Sequence, residues 1–158
     1  MGFKNILVPF DESDHAKNAL KEAIKLAGNN PEATIHVVEI MAPPQDLVYS
    51  SINQAGFGMG VSLVSQEDFA HVVEQRNEES DSKLHESIKD LAEGFPGTLN
   101  AEVIFGIYTV ETIVETAQHY DCDIITMGCR GLGALRGAIG SVSYGVLRAS
   151  HIPVLVVK

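Results

Sequence analysis

The chain has 158 residues, of which 45% are hydrophobic and 20% are charged, a composition that fits one globular domain over residues 1–158. Its net charge of −10 argues against DNA, RNA or an anionic membrane as partners, because each of these requires a cationic surface. No apolar run approaches the roughly 20 residues that cross a bilayer, and the first residues carry no signal-peptide pattern, so we expect a cytoplasmic protein.

The first 41 residues predict a β-α-β unit. Lys4–Phe10 is a short apolar run of the kind that forms a parallel strand buried on both faces. The acidic turn Asp11–Asp14 opens a helix whose apolar positions recur at helical spacing as far as Ala27. Thr34–Met41 is the second predicted strand.

The middle of the chain predicts a long loop followed by a long helix. Residues 42–64 form a loop of low regularity, and both a flap over a ligand and a mobile insertion are open interpretations of it. From Ser65 to Leu91 apolar residues follow three- and four-residue steps, and the opposite face is charged. That charged face is interpreted as the solvated side of the helix.

The remaining residues predict three strands alternating with two helices, which together with the first unit indicates a doubly wound parallel sheet with helices on both faces. In such sheets ligands bind at the carboxyl ends of the strands, where the strand order reverses. These elements are the strand Ala101–Phe105, a helix capped by Thr109, the strand Asp123–Met127, a helix capped by Ser141 or Ser143, and the strand Val154–Val157.

The stretch Ile124–Ser143 carries the strongest functional signal. An apolar strand, a glycine-containing loop and a helix start follow one another, an arrangement that places backbone N–H groups around a phosphate. No Walker A pattern occurs, and Gly131, Gly133 and Gly137 are one residue off the dinucleotide fingerprint. A flexible turn is the plain alternative for such glycines.

Neither the cysteines nor the histidines predict a metal site or a disulfide. Cys122 and Cys129 flank one predicted strand and would lie roughly 20 Å apart, beyond the reach of a disulfide. The six histidines show no spacing typical of metal ligands, so no metal site is predicted from the protein alone. Ser141 lacks the G-x-S-x-G context of a hydrolase nucleophile, and no catalytic residue is predicted.

Gly128-x-x-Gly131, followed after a spacer by Gly140-Ser141, resembles the ATP-binding motif of the universal stress protein family. The resemblance extends over nearly the whole chain, through the segments ILVPFDES, IHVVEI, DIITMG, GSVSYGVL and PVLVVK in that order. The family usually has nine residues in the spacer, whereas 132–139 supply eight.

The resemblance implies a fold, a cofactor and an assembly. The fold is a Rossmann-like three-layer α/β/α architecture with five parallel strands in the order 3-2-1-4-5. The cofactor is ATP or another adenine nucleotide, with Mg²⁺ held through its phosphates and Asp11 nearby. The assembly is a homodimer through Val154–Val157, an apolar edge that would otherwise invite uncontrolled pairing.

The resemblance also assigns residues to the parts of the nucleotide. It assigns the adenine and sugar end to Pro9, Asp11 and Val37, and the ribose and phosphates to Met127, Gly128 and Gly131. It assigns the phosphates to Gly140, Ser141, Val142 and Ser143, with Arg130 adding positive charge. The alternative interpretations are a solvated loop arginine for Arg130 and a turn carboxylate at a helix start for Asp11.

The predicted function is therefore that of an adenine-nucleotide-binding, homodimeric stress-response regulator. A nucleotide-independent dimeric interaction module is the first alternative, and the eight-residue spacer favours it. A slow ATPase is the second, although no residue in a known phosphoryl-transfer motif positions a water molecule.

Overall fold

The computed structural model describes residues 2–42, 79–131 and 139–158. Strands and helices alternate along these residues, as the hydrophobic pattern predicts. In chain order they are β1 (Asn5–Pro9), α1 (Asp14–Ala27), β2 (Thr34–Met41), the helical residues 79–88 (α2), β3 (Thr98–Phe105), α3 (Thr109–His119), β4 (Ile124–Gly128), α4 (Ser141–Ala149) and β5 (Val154–Val157).

The sheet is parallel throughout and has the order β3-β2-β1-β4-β5, which confirms the predicted topology. Ile6 of the central strand β1 pairs with Ile35 of β2 on one side and with Ile124 of β4 on the other. The chain therefore leaves β1 in one direction and later returns to its opposite edge. The carboxyl ends of β1 and β4 meet at this reversal, where doubly wound sheets bind ligands.

Each face of the sheet has its own apolar core, because successive side chains of a strand point to opposite faces. Ile6 and Val8 pack with residues of α1 and α2, whereas Leu7, which lies between them, packs with residues of α3 and α4. All three side chains are fully buried. This two-sided burial explains why β1 is a continuous apolar run rather than an alternating one.

The helix starts differ in how they are capped. The Ser13 hydroxyl accepts the N–H of Ala16 at 3.2 Å and so caps α1. The predictions that Thr109 caps α3 and that Ser141 or Ser143 caps α4 were wrong. All three residues lie inside their helices, and the cap positions belong to Tyr108 and Gly140, neither of which makes a side-chain capping bond within the described chain.

The bounds of three strands differ from the prediction, at both ends of β1, at the start of β3 and at both ends of β4. β1 is one residue shorter at each end. β3 begins at Thr98 rather than Ala101, because the N–H of Thr98 bonds to the carbonyl of Ala33 at 2.8 Å and draws the polar start of the strand into the sheet. β4 includes Gly128.

The predicted loop 42–64 lies outside the described residues except for residue 42, and the predicted helix from Ser65 to Leu91 is described only from residue 79 onward. Within the described ranges, the helices are too short or too polar to cross a membrane.

At the end of the sheet opposite the carboxyl ends, a histidine is buried in an aromatic stack. His36 on β2 is 8% exposed, and its ring stacks on Tyr120 with centroids 4.2 Å apart. The Tyr120 hydroxyl donates to Glu102 at 2.5 Å, and this bond raises the pKa of Tyr120 to about 12. Burial lowers the pKa of His36 below its ordinary value of 6.5, against the opposing pull of the Glu102 charge.

His36 therefore contributes a pH-dependent part of the free energy of unfolding. Its folded pKa lies below its unfolded pKa, so the unfolded chain binds the additional proton and stability is lost as the pH falls below 6.5. We expect the Tm of the wild-type protein to fall more than that of His36→Phe, which keeps an aromatic ring on Tyr120, between about pH 7.5 and about pH 5. His151→Gln, at an exposed histidine, should keep the wild-type pH dependence, and equal slopes for wild type and His36→Phe would contradict this account.

Candidate functional site

A cleft of about 550 Å³ lies at the carboxyl ends of β1, β2 and β4, bordered by the first turns of α3 and α4. The structure brings to this cleft all of the residues that the resemblance assigned to the nucleotide except Val37. They are Pro9, Asp11, Met127, Gly128, Arg130, Gly131, Gly140, Ser141, Val142 and Ser143.

Val37 does not line the cleft. Its side chain is fully buried in the core on the α1 side of the sheet, and its neighbours on β2, Val38 and Ile40, line the cleft instead. The predicted residue, Val37, and the observed one, Val38, are adjacent, and adjacent residues of a strand point to opposite faces of the sheet.

Other lining residues were not predicted, among them Thr109 and Ile113 of α3. They are four residues apart and therefore share one helix face. The sequence showed the apolar stripe of α3, but it did not show which strand end that stripe covers.

The loop after β4 folds directly onto the start of α1. A Cβ at Gly128 would lie 2.8 Å from both the carbonyl carbon and the Cβ of His15, and 3.0 Å from the amide nitrogen of Ala16. A Cβ at Gly131 would overlap the carboxylate of Asp11. Glycine at both positions therefore lets the loop reach the first turn of α1 and brings it beside Asp11.

The start of α4 is held to the end of β4 by two hydrogen bonds. The N–H of Gly140 donates to the carbonyl of Cys129 at 2.7 Å, and the hydroxyl of Ser143 donates to the carbonyl of Gly128 at 2.8 Å. Ser143 is buried, whereas Ser141 is exposed. The Ser143 hydroxyl, assigned to phosphate by the resemblance, is thus committed to the protein backbone.

The first turn of α4 offers hydrogen-bond donors to the cleft. The first four N–H groups of a helix have no acceptor inside it. Of these four, the N–H of Gly140 donates to the carbonyl of Cys129. The N–H groups of residues 141–143 remain at the positive end of the helix dipole. This end of the cleft is suited to an anion.

The Asp11 carboxylate also lines the cleft. It lies beside Gly131 and accepts the N–H of Ser13 at 3.1 Å. Burial raises the pKa of Glu39 at the end of β2, and the neighbouring charges of Glu12 and Asp11 raise it further. Glu39 points to the opposite face of β2 from Val38 and Ile40, so Asp11 is the carboxylate that lines the cleft.

The described residues include no cluster of three or more histidine, cysteine or acidic side chains that could hold a metal ion. Neither Cys122 nor Cys129 forms a disulfide. Burial raises the pKa of Cys122 to about 12. Cys129 lies in the loop that borders the cleft, and its sulfur is 3.8 Å from Nδ1 of His15 in α1.

The contact between the loop and α1 makes a stability prediction. Gly128→Ala should lower the free energy of unfolding by about 1–3 kcal/mol or more, because the added methyl group meets backbone atoms of His15 and Ala16 that have no room to withdraw. Thermal and urea unfolding measure the loss. Gly2→Ala, whose Cβ would lie 3.4 Å from its nearest neighbour, is the matched control, and a Gly128→Ala protein as stable as this control would show that the loop does not pack as described.

The model of the universal stress protein family matches residues 2–158. The universal stress protein MJ0577 of Methanocaldococcus jannaschii is 31% identical to this chain over 160 residues, which cover 99% of this chain and 95% of the relative. The solved structure of MJ0577 matches with a TM-score of 0.73 and 26% identity, covering 100% of this chain and 97% of that one.

Two solved structures with bound nucleotides share the fold at lower identity. A universal stress protein in complex with cAMP matches with a TM-score of 0.63 and 20% identity, covering 100% of this chain and 98% of that one. The universal stress protein from Archaeoglobus fulgidus in complex with dAMP matches with a TM-score of 0.58 and 23% identity, each chain being covered in full.

Proposed function

Because the chain belongs to the universal stress protein family, we propose that it binds an adenine nucleotide, with ATP as the ligand, in the cleft between β1 and β4. We propose further that it works as a homodimeric stress-response regulator whose interactions depend on that nucleotide. The observation that carries the proposal is the start of α4, whose N–H groups border the cleft.

The two ends of the cleft orient the nucleotide. The phosphates lie at the N–H groups of residues 141–143, where the helix dipole favours negative charge and Arg130 adds a positive charge. The adenine and ribose lie toward Val38, Ile40 and Asp11, where apolar side chains contact the base and the carboxylate accepts hydroxyl hydrogens. The reverse orientation would place phosphates beside the Asp11 carboxylate.

Three considerations support an adenine nucleotide as the ligand. Gly128, Gly131 and the Gly140-Ser141 pair match the ATP-binding motif that the family resemblance identifies. Two proteins of the same fold were solved with cAMP and with dAMP. A ligand held by backbone N–H groups is also compatible with the net charge of −10, because it needs no cationic surface. Mg²⁺ would be held through the phosphates.

The same loop connects the cleft to the strand that we propose as the dimer edge. The N–H of Cys129 donates to the carbonyl of Val157, the last residue of β5, at 2.6 Å. A nucleotide that contacts Gly128 and Gly131 therefore acts on a segment bonded directly to β5. This contact is the route by which nucleotide binding would change the association of two copies.

Nucleotide binding should raise the Tm. A ligand that binds only the native state at 100 times its Kd adds about 2.7 kcal/mol to the free energy of unfolding. We expect Mg-ATP to raise the wild-type Tm and mass spectrometry of gently purified protein to identify an adenine nucleotide. Gly140→Val should abolish both effects, because its side chain would crowd the Cys129 carbonyl, 3.3 Å from a Cβ at this position; Gly2→Val is the control.

Identical wild-type melting curves with and without Mg-ATP would contradict nucleotide binding. They would support the nucleotide-independent module that the eight-residue spacer favours. ATP turnover above background that is lost in Asp11→Asn would instead support the slow ATPase.

The dimer edge is tested separately. Leu155 of β5 is 36% exposed at the edge of the sheet, and we expect Leu155→Lys to shift the protein toward the monomer in sedimentation velocity by placing charges on the paired edge. Met41→Lys is the matched control, since Met41 is 37% exposed and lies on another strand. A wild-type monomer, or a Leu155→Lys protein with the wild-type mass, would contradict a dimer through β5.

A further inference from the structure

Two adjacent carbonyls at the end of β4 hold the start of α4. The carbonyl of Cys129 accepts the N–H of Gly140, the residue that precedes the helix, at 2.7 Å. The carbonyl of Gly128 accepts the hydroxyl of Ser143, inside the first turn, at 2.8 Å. Ser143 is 3% exposed, so its bond is shielded from water.

We propose that Ser143 is a positioning residue of the nucleotide site, and this proposal rests on the proposed function. Its hydroxyl holds α4 in the position at which the N–H groups of residues 141–143 converge on a phosphate. The role differs from the direct phosphate contact that the family resemblance implies. A hydroxyl has one proton, and a phosphate oxygen requires a donor, so a proton given to Gly128 cannot also serve the phosphate.

Gly140 explains why such a restraint is needed. A Cβ at this position would lie 3.3 Å from the Cys129 carbonyl and 3.4 Å from Cα of Arg130, so the close approach of the helix start to the loop favours glycine. Glycine supplies no capping side chain and has more backbone freedom than other residues. The hydroxyl of Ser143, three residues after the cap, provides a side-chain restraint on this turn.

The two bonds also bear on the length of the spacer. They join residues 128 and 129 directly to residues 143 and 140, on either side of 132–139. Both bonds are present in this chain, whose spacer has eight residues. A spacer of eight rather than nine residues leaves the anion-binding end of the cleft assembled.

The first experiment compares two ligands. Ser143→Ala should weaken Mg-ATP binding by about tenfold in calorimetry, because it removes one buried hydrogen bond and leaves the Gly128 carbonyl unsatisfied. Adenosine, which has no phosphate, should bind as it does to the wild type. Ser143→Thr keeps the hydroxyl and should restore Mg-ATP binding. Ser87→Ala removes a matched 2.8 Å hydroxyl–carbonyl bond on α2 and should change neither ligand.

A purely structural role would weaken both ligands together, and that result would overturn the proposal. A Ser143→Thr protein as weak as Ser143→Ala would also overturn it. If Ser143→Ala does not fold, Ser143→Cys keeps nearly the same volume with a weak donor and should show the same selective loss for Mg-ATP, to a smaller extent.

The second experiment needs no nucleotide. In the apo protein, Ser143→Ala should speed amide hydrogen exchange of Gly140 by about tenfold, because the bond to Cys129 opens more often when the helix start is loosened. Ser87→Ala, which removes a hydroxyl–carbonyl bond of the same length on α2, should leave that rate unchanged. Unaltered Gly140 exchange in Ser143→Ala would overturn the proposal. A wild-type protein that binds neither ligand would overturn the proposed function, and the exchange rate would still decide whether Ser143 holds α4.

Discussion

The architecture of the cleft depends on two consecutive residues at the end of β4. Gly128 has no side chain, and only for that reason does the strand end lie against the first turn of α1. The carbonyls of Gly128 and Cys129 hold the start of α4, and the N–H of Cys129 bonds to Val157 at the end of β5. One dipeptide thus connects a helix on one face of the sheet, a helix on the other face and the edge strand.

This arrangement explains how an acidic protein can offer a site for an anion. The net charge of −10 is distributed over the whole chain, whereas the donors at the start of α4 act over a few ångströms at the cleft. The Asp11 carboxylate lines the same cleft. The cleft therefore offers backbone donors together with a carboxylate acceptor, a combination that suits a ligand with both an anionic group and hydroxyl groups.

On the α3 side of the sheet, the two ends of β2 have different environments. Val38 and Ile40 line the cleft at the carboxyl end of β2, while His36, two residues earlier on the same face, is buried against Tyr120 near the other end. α3 covers both places, since Ile113 lies at the cleft and Tyr120 directly follows the helix. The carboxyl end of β2 is open at the cleft, and the opposite end is closed by packing. This division is typical of parallel sheets, because their connecting helices cover the faces and leave the carboxyl ends to the loops.

The sequence by itself determined the element types, their order and the stretch that carries the site. Continuous apolar runs indicated strands buried on both faces, and the glycines at 128, 131 and 140 marked where backbone approaches closely, since both signals are local. The family resemblance then supplied the strand order, which the fold confirms. Only the tertiary structure decided that Val38 rather than Val37 faces the cleft, and that the Ser143 hydroxyl bonds to Gly128. The face that a strand residue occupies depends on register, and the partner of a hydroxyl depends on chain segments distant in sequence, so neither can be read from the residue and its neighbours alone.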